Sequence, residues 1–540
     1  MNSLDLSFDV VVIGSGAAGS AVSWLLSKSK DLKIACLEQG KFTLPSNYPS
    51  NFADWESRLL ENFSYKPSDR NSWADYEIDD SESPIKIANF NGVGGSTVLF
   101  SGHFPRLRPS DFRTRDLDNV AENWPITYQD LEPYYDLNDF QTGVAGLVGD
   151  PAYPDIKSNL LPPIPLGLLG ERVADGLNKL SWHWWPSYSA INTSDRGPRP
   201  KCINLGPCNS GCSQGAKSSA DVTYWPQAIH NGVKLFPSSR AVKLELDKRQ
   251  TKVVGLRFID ENGNSGLIEA KIFVIACNGV GTPRFLLANA TSKFPNGIGN
   301  NHDLLGRNLM LHPLAYLEGT VSEDLYSSIG PQGCCLQSQE FYETQPTALF
   351  KRGFTMQVLR SPGPLETARQ GIRRKKISFG PKFHDEFRKY FNRTISLSMI
   401  AEDLPEVMNC VKLSSKVDSS GLPIPKVVYK VSQNTKEILK FSLSKGRELF
   451  RAIGAEESIS FAPVSFAGWH LMGTARMGNG PRNSVTDQFG RIHEIENLYV
   501  ADSSLFVTSG SVNPTSTIQA LALYIADHIA ERLRGEKYVK

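Results

Sequence analysis

Residues 8–40 read FDVVVIGSGAAGSAVSWLLSKSKDLKIACLEQG. Asp9 to Ile13 is a β-branched run of the kind found in a buried parallel strand. Gly14, Gly16 and Gly19 follow as G-x-G-x-x-G, and Ala17 to Leu26 continues with helical periodicity. A second strand, Lys33 to Leu37, ends on Glu38. A glycine pattern alone is weak evidence. A strand before it, a helix after it and an acid closing the next strand together make a dinucleotide-binding unit. The glycines serve the tight turn, the approach of backbone to a pyrophosphate and close helix packing. The phosphates would meet unpaired amides at the helix start. Glu38 is placed to accept hydrogen bonds from a ribose diol and repels a 2′-phosphate, which favours FAD or NAD over NADP.

Working outward, residues 45–90 are irregular and rich in Ser, Asn, Asp and aromatics, as in a lid or excursion. NFNGVGGSTVLFSG (89–102) is a second glycine-rich turn, and NWPITYQDLEPYYD (123–136) reads as a cap followed by a helix. SWHWWPSY (181–188) carries three tryptophans and reads as a satellite core. GVKLFPSSRAVKLELD and TKVVGLRFID alternate like paired strands. AKIFVIACNGVGTPRFLL (270–287) repeats the order strand, glycine turn, helix. From 311 to 465 the pattern changes to strand-like stretches such as KKISFG, TISLSMIAE and PKVVYK, interrupted by one amphipathic helix, QNTKEILKFSLSKGRELFRAIG. That composition implies a separate antiparallel sheet backed by helices.

The 540 residues exceed one hydrophobic core, so at least two domains are expected. The formal charge of +2 gives no reason to expect nucleic acid or an anionic membrane as partner. No apolar run reaches the ~20 residues that span a bilayer. The first residues enter a strand pattern without the regions of a secretory signal. A cytoplasmic location is expected, although export with a signal-bearing partner would leave the same sequence. Eight cysteines are too few for a disulfide framework. Cys36, Cys277, Cys334, Cys335 and Cys410 are scattered and read as packing residues.

The last eighty residues hold GWHLMGTARMG (468–478) and NLYVADSSLFVTSGSVNPTSTIQALALYIADHI (497–529). The second is a strand, a polar turn and a helix. In dinucleotide-binding sheets ligands lie at the carboxyl ends of strands, which brings Asp502 to Ser504 and the region of Asn513 towards the cofactor.

With these pieces in order, the chain resembles the flavin-dependent glucose–methanol–choline (GMC) oxidoreductases. The resemblance rests on VVIGSGAAGSAVSWLL, GVGGST, WPITYQDLEPYY, IACNGVGTPRFLL, LLGRNLMLHP, WHLMGTARMG and ADSSLFVTSGSVNPTSTIQALAL, which span nearly the whole chain. It implies an α/β FAD-binding domain of Rossmann type and a second α+β substrate-binding domain built on an antiparallel sheet. The FAD domain would be assembled from 1–125 (with the excursion 45–90), 201–310 and 466–540. Residues 126–200 would form a cap and 311–465 the substrate domain. It also implies a base at His470 with Asn513 as its companion, and transfer of hydride from an alcohol carbon to the flavin. An imidazole titrates near working pH. A carboxamide holds the alcohol oxygen without competing for the proton. His312 and His103 read as structural.

By the same resemblance, Gly14, Gly16, Ala18, Gly19 and Glu38 hold the ADP half of FAD. Gly94, Gly95 and Ser96 lie near the pyrophosphate or ring, and Val242 approaches the adenine through its backbone. Asp502, Pro514 and Thr515 complete the contacts. Leu99 and Phe100 stand where some members carry a flavin-tethering histidine, so the FAD is expected to be non-covalent. The substrate would be an alcohol on a sugar, polyol or amino-sugar. The external acceptor would be a quinone, a cytochrome or, for an oxidase, dioxygen, and a small or cytochrome subunit is a further partner. A non-redox or light-driven flavoprotein is the reading from another class, and the presence of both His470 and Asn513 argues against it.

CINLGPCNSGC (202–212) spaces three cysteines as Cys-x5-Cys-x3-Cys. The spacing resembles that of bacterial sugar dehydrogenases of the family, in which it implies a [3Fe-4S] cluster on Cys202, Cys208 and Cys212. An iron-free loop stays open beside that reading. Zinc lacks a fourth local ligand, and a disulfide fits poorly with a reducing compartment.

Overall fold

The computed structural model describes residues 6–58, 63–70, 72–331 and 335–539, so Cys334 lies outside the described residues. Leu6–Ile13 forms β1, Ala17–Leu26 α1 and Ile34–Leu37 β2. Val10, Val11 and Val12 are fully buried, as a central parallel strand covered on both faces requires. Burial of each is worth about 1.5–3 kcal/mol. Gly19 lets α1 lie directly on β1, because a Cβ there would stand 1.8 Å from the carbonyl oxygen of Gly14.

Four more strands extend this sheet: β3 (Lys234–Phe236), β4 (Ser239–Leu246), β5 (Val253–Asp260) and β6 (Ser265–Ile275). The order is β3-β2-β1-β6-β5-β4. β3, β2, β1 and β6 run parallel, whereas β4, β5 and β6 form an antiparallel meander. β6 serves two partners on one edge. Its first residues pair with β5, and its last three pair in parallel with a strand near the C-terminus, Leu498–Val500. Helix α2 (Asn278–Ala288) leaves the end of β6.

A second sheet contains β7 (Leu314–Thr320), β8 (Leu336–Ser338), β9 (Phe354–Leu359), β10 (Thr394–Ala401) and β11 (Glu456–Phe461). It is antiparallel throughout, in the order β11-β7-β10-β9-β8, and Trp185–Pro186 adds a short edge strand. Helix α3 (Gln433–Ile453) covers one face, burying Ile438, Leu439, Leu449 and Phe450 against Leu317, Leu397 and Met399. The period of 2 along β9 and β10 therefore turns Gln357, Leu359, Ser398 and Ile400 to the opposite face. That face roofs a cavity over the first sheet. Leu498–Val500 is β12, and α4 (Thr515–Arg534) closes the chain against α1.

Two expectations change. Lys375–Gly380 is not a strand; it is a turn between two short helices, with Ile377 packed on Gly371 and Phe379 turned to solvent. Residues 126–200 do not form one cap. Helix Tyr128–Thr142 joins the first core through Tyr128, Leu131 and Tyr135, while Trp185 pairs into the second sheet. Trp182 packs against Phe341 and, with Trp184, flanks the second core, whereas Trp185 packs on a separate small cluster with Tyr153 and Tyr188.

Candidate active site

One cavity of about 420 Å³ runs along the carboxyl ends of β1, β2 and β6 and continues beneath the second sheet. Ligand cavities of doubly wound sheets lie at this edge. Gly14, Gly16, Ala18, Glu38, Gly95, Ser96, Asp502, Pro514, Thr515, His470 and Asn513 all line it. Gly19, Gly94 and Val242 do not. Gly19 is taken up by the helix–strand contact, and Gly94 packs on Asp221. Val242 sits at a register shift between Ala241 and Lys243 in β4, and such a bulge re-aims side chains. Ser239, Arg240 and Ala241 line the cavity in its place.

The first half of the cavity is built for a dinucleotide. α1 begins at Gly16 with no capping side chain and no acid in its first turn, so its amides are left for an anion. Gly95 has φ +54°, and a Cβ on it would come 2.7 Å from Gly16 Cα, so the two glycine turns touch through bare backbone. Glu38 is buried and accepts the Ser15 N–H at 3.0 Å, the Ser15 hydroxyl at 2.7 Å and the Gly40 N–H at 2.9 Å. Burial raises its carboxyl, and these donors pull it back down. Asp502 accepts from Thr282 and from the Asn278 N–H at the start of α2, and from both the N–H and the hydroxyl of Ser504. Arg240 and Arg284 line the far end, sharing Asp418 and flanking Tyr76. These features fit the ADP half of FAD. Leu99 and Phe100 line the cavity, with no histidine at either position to tether a flavin.

At the other end lie His470, Asn513, Trp469 and His103, under the roof formed by Gln357 and Ser398. A two-residue antiparallel bridge pairs Met310 with Met472 through hydrogen bonds of 3.0 and 3.1 Å. Two residues further along each strand, that register sets His312 opposite His470. Their Nδ1 atoms are 2.9 Å apart. His312 is fully buried, and its Nε2 contacts the carbonyl oxygen of Gly510.

A carbonyl oxygen only accepts, so His312 Nε2 carries the hydrogen. Burial pushes His312 down to about 4, so the ring is neutral and its Nδ1 holds a lone pair. His470 Nδ1 is therefore the donor in the pair, and His470 Nε2 keeps its lone pair, with no protein partner among the described residues. Burial, and then the neighbouring His312 and His103, hold the His470 imidazole well below the usual 6.5. His312 has φ +51°, uncommon for a residue with a side chain and a mark of a constrained site. Sequence reasoning assigned His312 to structure. The signal it lacked was the pairing of LMLHP with WHLMG.

Asn513 is oriented in the same manner. Its Oδ1 accepts from Gln357 Nε2 at 2.7 Å, which leaves its NH₂ to donate elsewhere. Asn513 immediately precedes Pro514 and α4, whose first turn is also uncapped at the cavity, and a helix N-terminus favours negative charge. His103, too, lines the cavity. Its Nδ1 is buried without a partner among the described residues, and burial lowers the ring to about 4.

The cysteine loop lies against the second glycine turn. Buried Lys217 donates to the carbonyls of Val98, Phe100 and Cys208 at 2.7–2.8 Å, and Asn209 reaches the cavity. Among the described residues no group of three His, Cys, Asp or Glu side chains is placed to hold a metal, so the structure lends the [3Fe-4S] reading no support. Cys202 Sγ accepts the Asn204 N–H at 3.4 Å.

Comparison with known proteins agrees with this architecture. Family models described as GMC oxidoreductase match residues 192–314 and 405–522. The 2-methyl-1,2-propanediol dehydrogenase of Mycolicibacterium austroafricanum is 38% identical over 97% of this chain and 95% of its own. The fructose dehydrogenase large subunit of Gluconobacter japonicus is 27% identical over 99% and 100%. The crystal structure of pyridoxine 4-oxidase from Mesorbium loti superposes with a TM-score of 0.66 at 17% identity, covering 98% of this chain and 100% of that one. With a flavin-type cavity, a second antiparallel sheet above it and a full-length relative at this identity, the chain belongs to the GMC oxidoreductases.

Proposed function

We propose that the protein is an FAD-dependent oxidoreductase that oxidises a primary or secondary alcohol on a polar substrate such as a polyol, sugar or amino-sugar. The observation that carries this is the contact of His470 Nδ1 with His312, itself held on the Gly510 carbonyl, which supports a basic Nε2 on His470 in a cavity that also receives the Asn513 amide donors. Gly14, Gly16, Ala18, Glu38, Gly95, Ser96, Asp502, Pro514 and Thr515 would hold FAD, which would supply the acceptor for a hydride from the substrate carbon. His470 Nε2 takes the hydroxyl proton. Asn513 donates to the substrate oxygen and fixes its carbon–hydrogen bond for transfer.

An aliphatic hydroxyl is far less acidic than an imidazolium whose pKa burial holds below its usual value, so free alkoxide would be scarcely populated. The proton becomes acidic enough for this imidazole only as the carbonyl forms. Gln357 and Ser398 give the roof polar character, which supports a substrate bearing a second hydroxyl. The names of the diol and fructose dehydrogenase relatives support the same class. One of them is the large subunit of its enzyme, which supports an electron acceptor outside this chain.

The test is anaerobic mixing of the flavin-loaded enzyme with a panel of diols, sugars and simple monoalcohols, followed by loss of flavin colour. Polyhydroxy alcohols should bleach it, and His470→Ala should slow bleaching at least about 100-fold. Failure of every alcohol to bleach the flavin, or an unchanged rate in His470→Ala, would end this reading. Turnover in air without an added acceptor distinguishes oxidase from dehydrogenase.

A further inference from the structure

Between β9 and β10 the chain leaves the second sheet for residues 364–393, PLETARQGIRRKKISFGPKFHDEFRKYFNR. This stretch holds nine Lys and Arg against three Asp and Glu, in a chain whose totals nearly balance. It forms two short helices, Pro364–Arg373 and Phe383–Arg388, and neither contains a fully buried residue. The arm has a defined shape. Glu56 accepts the N–H groups of Leu365 and Glu366 at 2.9 Å, Arg374 pairs with Glu318 at 3.1 Å, and Lys376 donates to the Ser458 carbonyl. Phe383, Phe387 and Phe391 stack along its inner side, and the Glu386 carboxylate accepts the Ser378 N–H to tie back the tip.

At that tip Phe379 is 92% exposed. Arg369, Arg373, Lys375, Lys382 and Lys389 are exposed on the same arm, and none makes an ion pair among the described residues. Leu365 and Ile372 are further exposed apolar side chains on the same arm. A solvent-facing phenyl on an arm rich in exposed cations matches one environment well: the boundary between anionic headgroups and acyl chains. A nucleic acid would use the cations but give an exposed phenyl little to bury against. An acidic protein would need a pocket shaped for it.

We propose that residues 364–393 are a docking arm for an anionic phospholipid surface, with Phe379 entering between headgroups and Arg369, Arg373, Lys375, Lys382 and Lys389 over the phosphates. Among the described residues no helix is long and apolar enough to cross a membrane, so the contact is peripheral. The base of the arm is tied to the body of the protein through Glu56, so docking would set the orientation of the cavity relative to the bilayer.

The full-length, flavin-loaded protein is sedimented with phosphatidylcholine vesicles and with phosphatidylcholine–phosphatidylglycerol vesicles at low and high salt. Binding is expected to the phosphatidylglycerol vesicles only, weakening with salt. Phe379→Ser should lower the partition coefficient about tenfold. Lys375→Gln, Lys382→Gln and Lys389→Gln together should lower it about 100-fold, at about fivefold per cation. Neither variant should alter alcohol-dependent flavin bleaching, which reports that the fold is intact. Absence of binding overturns the proposal, as does binding indifferent to the arm variants. Binding lost with the lysines but untouched by Phe379→Ser, and matched by heparin or DNA, overturns it in favour of a general polyanion surface.

Discussion

Replacing His312 tests whether a residue that need not touch the substrate sets the protonation of the one that does. In His312→Leu, the His470 Nδ1–H loses its acceptor at 2.9 Å in a buried setting. A buried donor left without a partner costs about 1–3 kcal/mol. His470 escapes that cost by moving its proton to Nε2, the nitrogen that must be bare to accept the substrate proton. The whole cost therefore falls on the reactive tautomer, and 1–3 kcal/mol corresponds to a rate loss of roughly 5- to 150-fold. Substrate affinity changes little, because His312 makes its contacts with His470 and Gly510.

The assay is anaerobic stopped-flow, with the flavin bleaching rate followed against alcohol concentration. His312→Leu should cut the limiting rate roughly 5- to 150-fold with less than about a threefold change in half-saturation. His312→Asn should recover most of the rate, for two reasons. Its carboxamide oxygen can accept from His470 Nδ1, and asparagine tolerates the backbone φ of +51° that residue 312 adopts. Thermal melting of each variant separates a rate effect from partial unfolding. A limiting rate in His312→Leu within twofold of wild type would refute the tautomer argument, and so would His312→Asn as slow as His312→Leu.

Gly95→Ala drives a methyl to 2.7 Å from Gly16 Cα and strains a φ of +54°, so the variant should purify with less than half the flavin of wild type. Normal flavin content would mean that the two glycine turns do not form the cofactor cradle. Acid should weaken the fold through its buried histidines. His103 and His312 are both depressed to about 4 against 6.5 unfolded, so each stabilises fully above pH 6.5 and loses that contribution as pH falls towards 4. The loss is of order 3 kcal/mol per residue. Asp403 works the other way, since burial raises it to about 7 and its contribution fades as pH rises from about 4 to 7. The clean measurement is therefore a difference. The fall in melting temperature from pH 7 to pH 4.5 should be smaller in His103→Asn than in wild type, and equal falls would contradict the assignment.

The dinucleotide half was open to reading because its signals are local. Strand, glycine turn, helix and closing acid lie within residues 8–40, and each glycine answers to a nearby steric demand. His470 and Asn513 were placed by motif resemblance, and the partners that orient them were not found. His312 lies 158 positions from His470 and Gln357 lies 156 from Asn513, so only the folded pairing of strands joins them. Val242 missed the cavity because a bulge, invisible in an alternating pattern, shifted the register by one residue. KKISFG alternated like a strand, yet its apolar pair divides: Ile377 packs inward and Phe379 outward. The basic arm was hidden for a simpler reason. A net charge of +2 averages over 540 residues and says nothing of a strongly basic thirty-residue segment. The cysteine spacing suggested a cluster, a reading to which the loop, pinned by Lys217, lends no support among the described residues.

Both side chains proposed to react are held from across the boundary between the two sheets. His470 and Asn513 belong to the C-terminal segment that completes the cofactor sheet, whereas Gln357 lies on β9 and His312 leads into β7. The turn carrying Asn513 is tied to the second sheet a third time. Glu402, just beyond β10, accepts from the Ser509 hydroxyl at 3.0 Å and the Gly510 N–H at 3.1 Å. Gly510 in turn presents the carbonyl that fixes the His312 tautomer. Glu402 is fully buried, raised by that burial and lowered by nearby Arg352, so this stitch is sealed from solvent. One loop, 509–513, thus sets where the Asn513 donor stands and which nitrogen of His470 is bare. Each hydrogen bond is worth only about 1 kcal/mol on its own, but all of them fail together if the sheets separate. The chemistry is accordingly coupled to sheet-on-sheet packing, and substrate-facing residues on β9 and β10 can vary while Gln357, His312 and Glu402 hold the geometry.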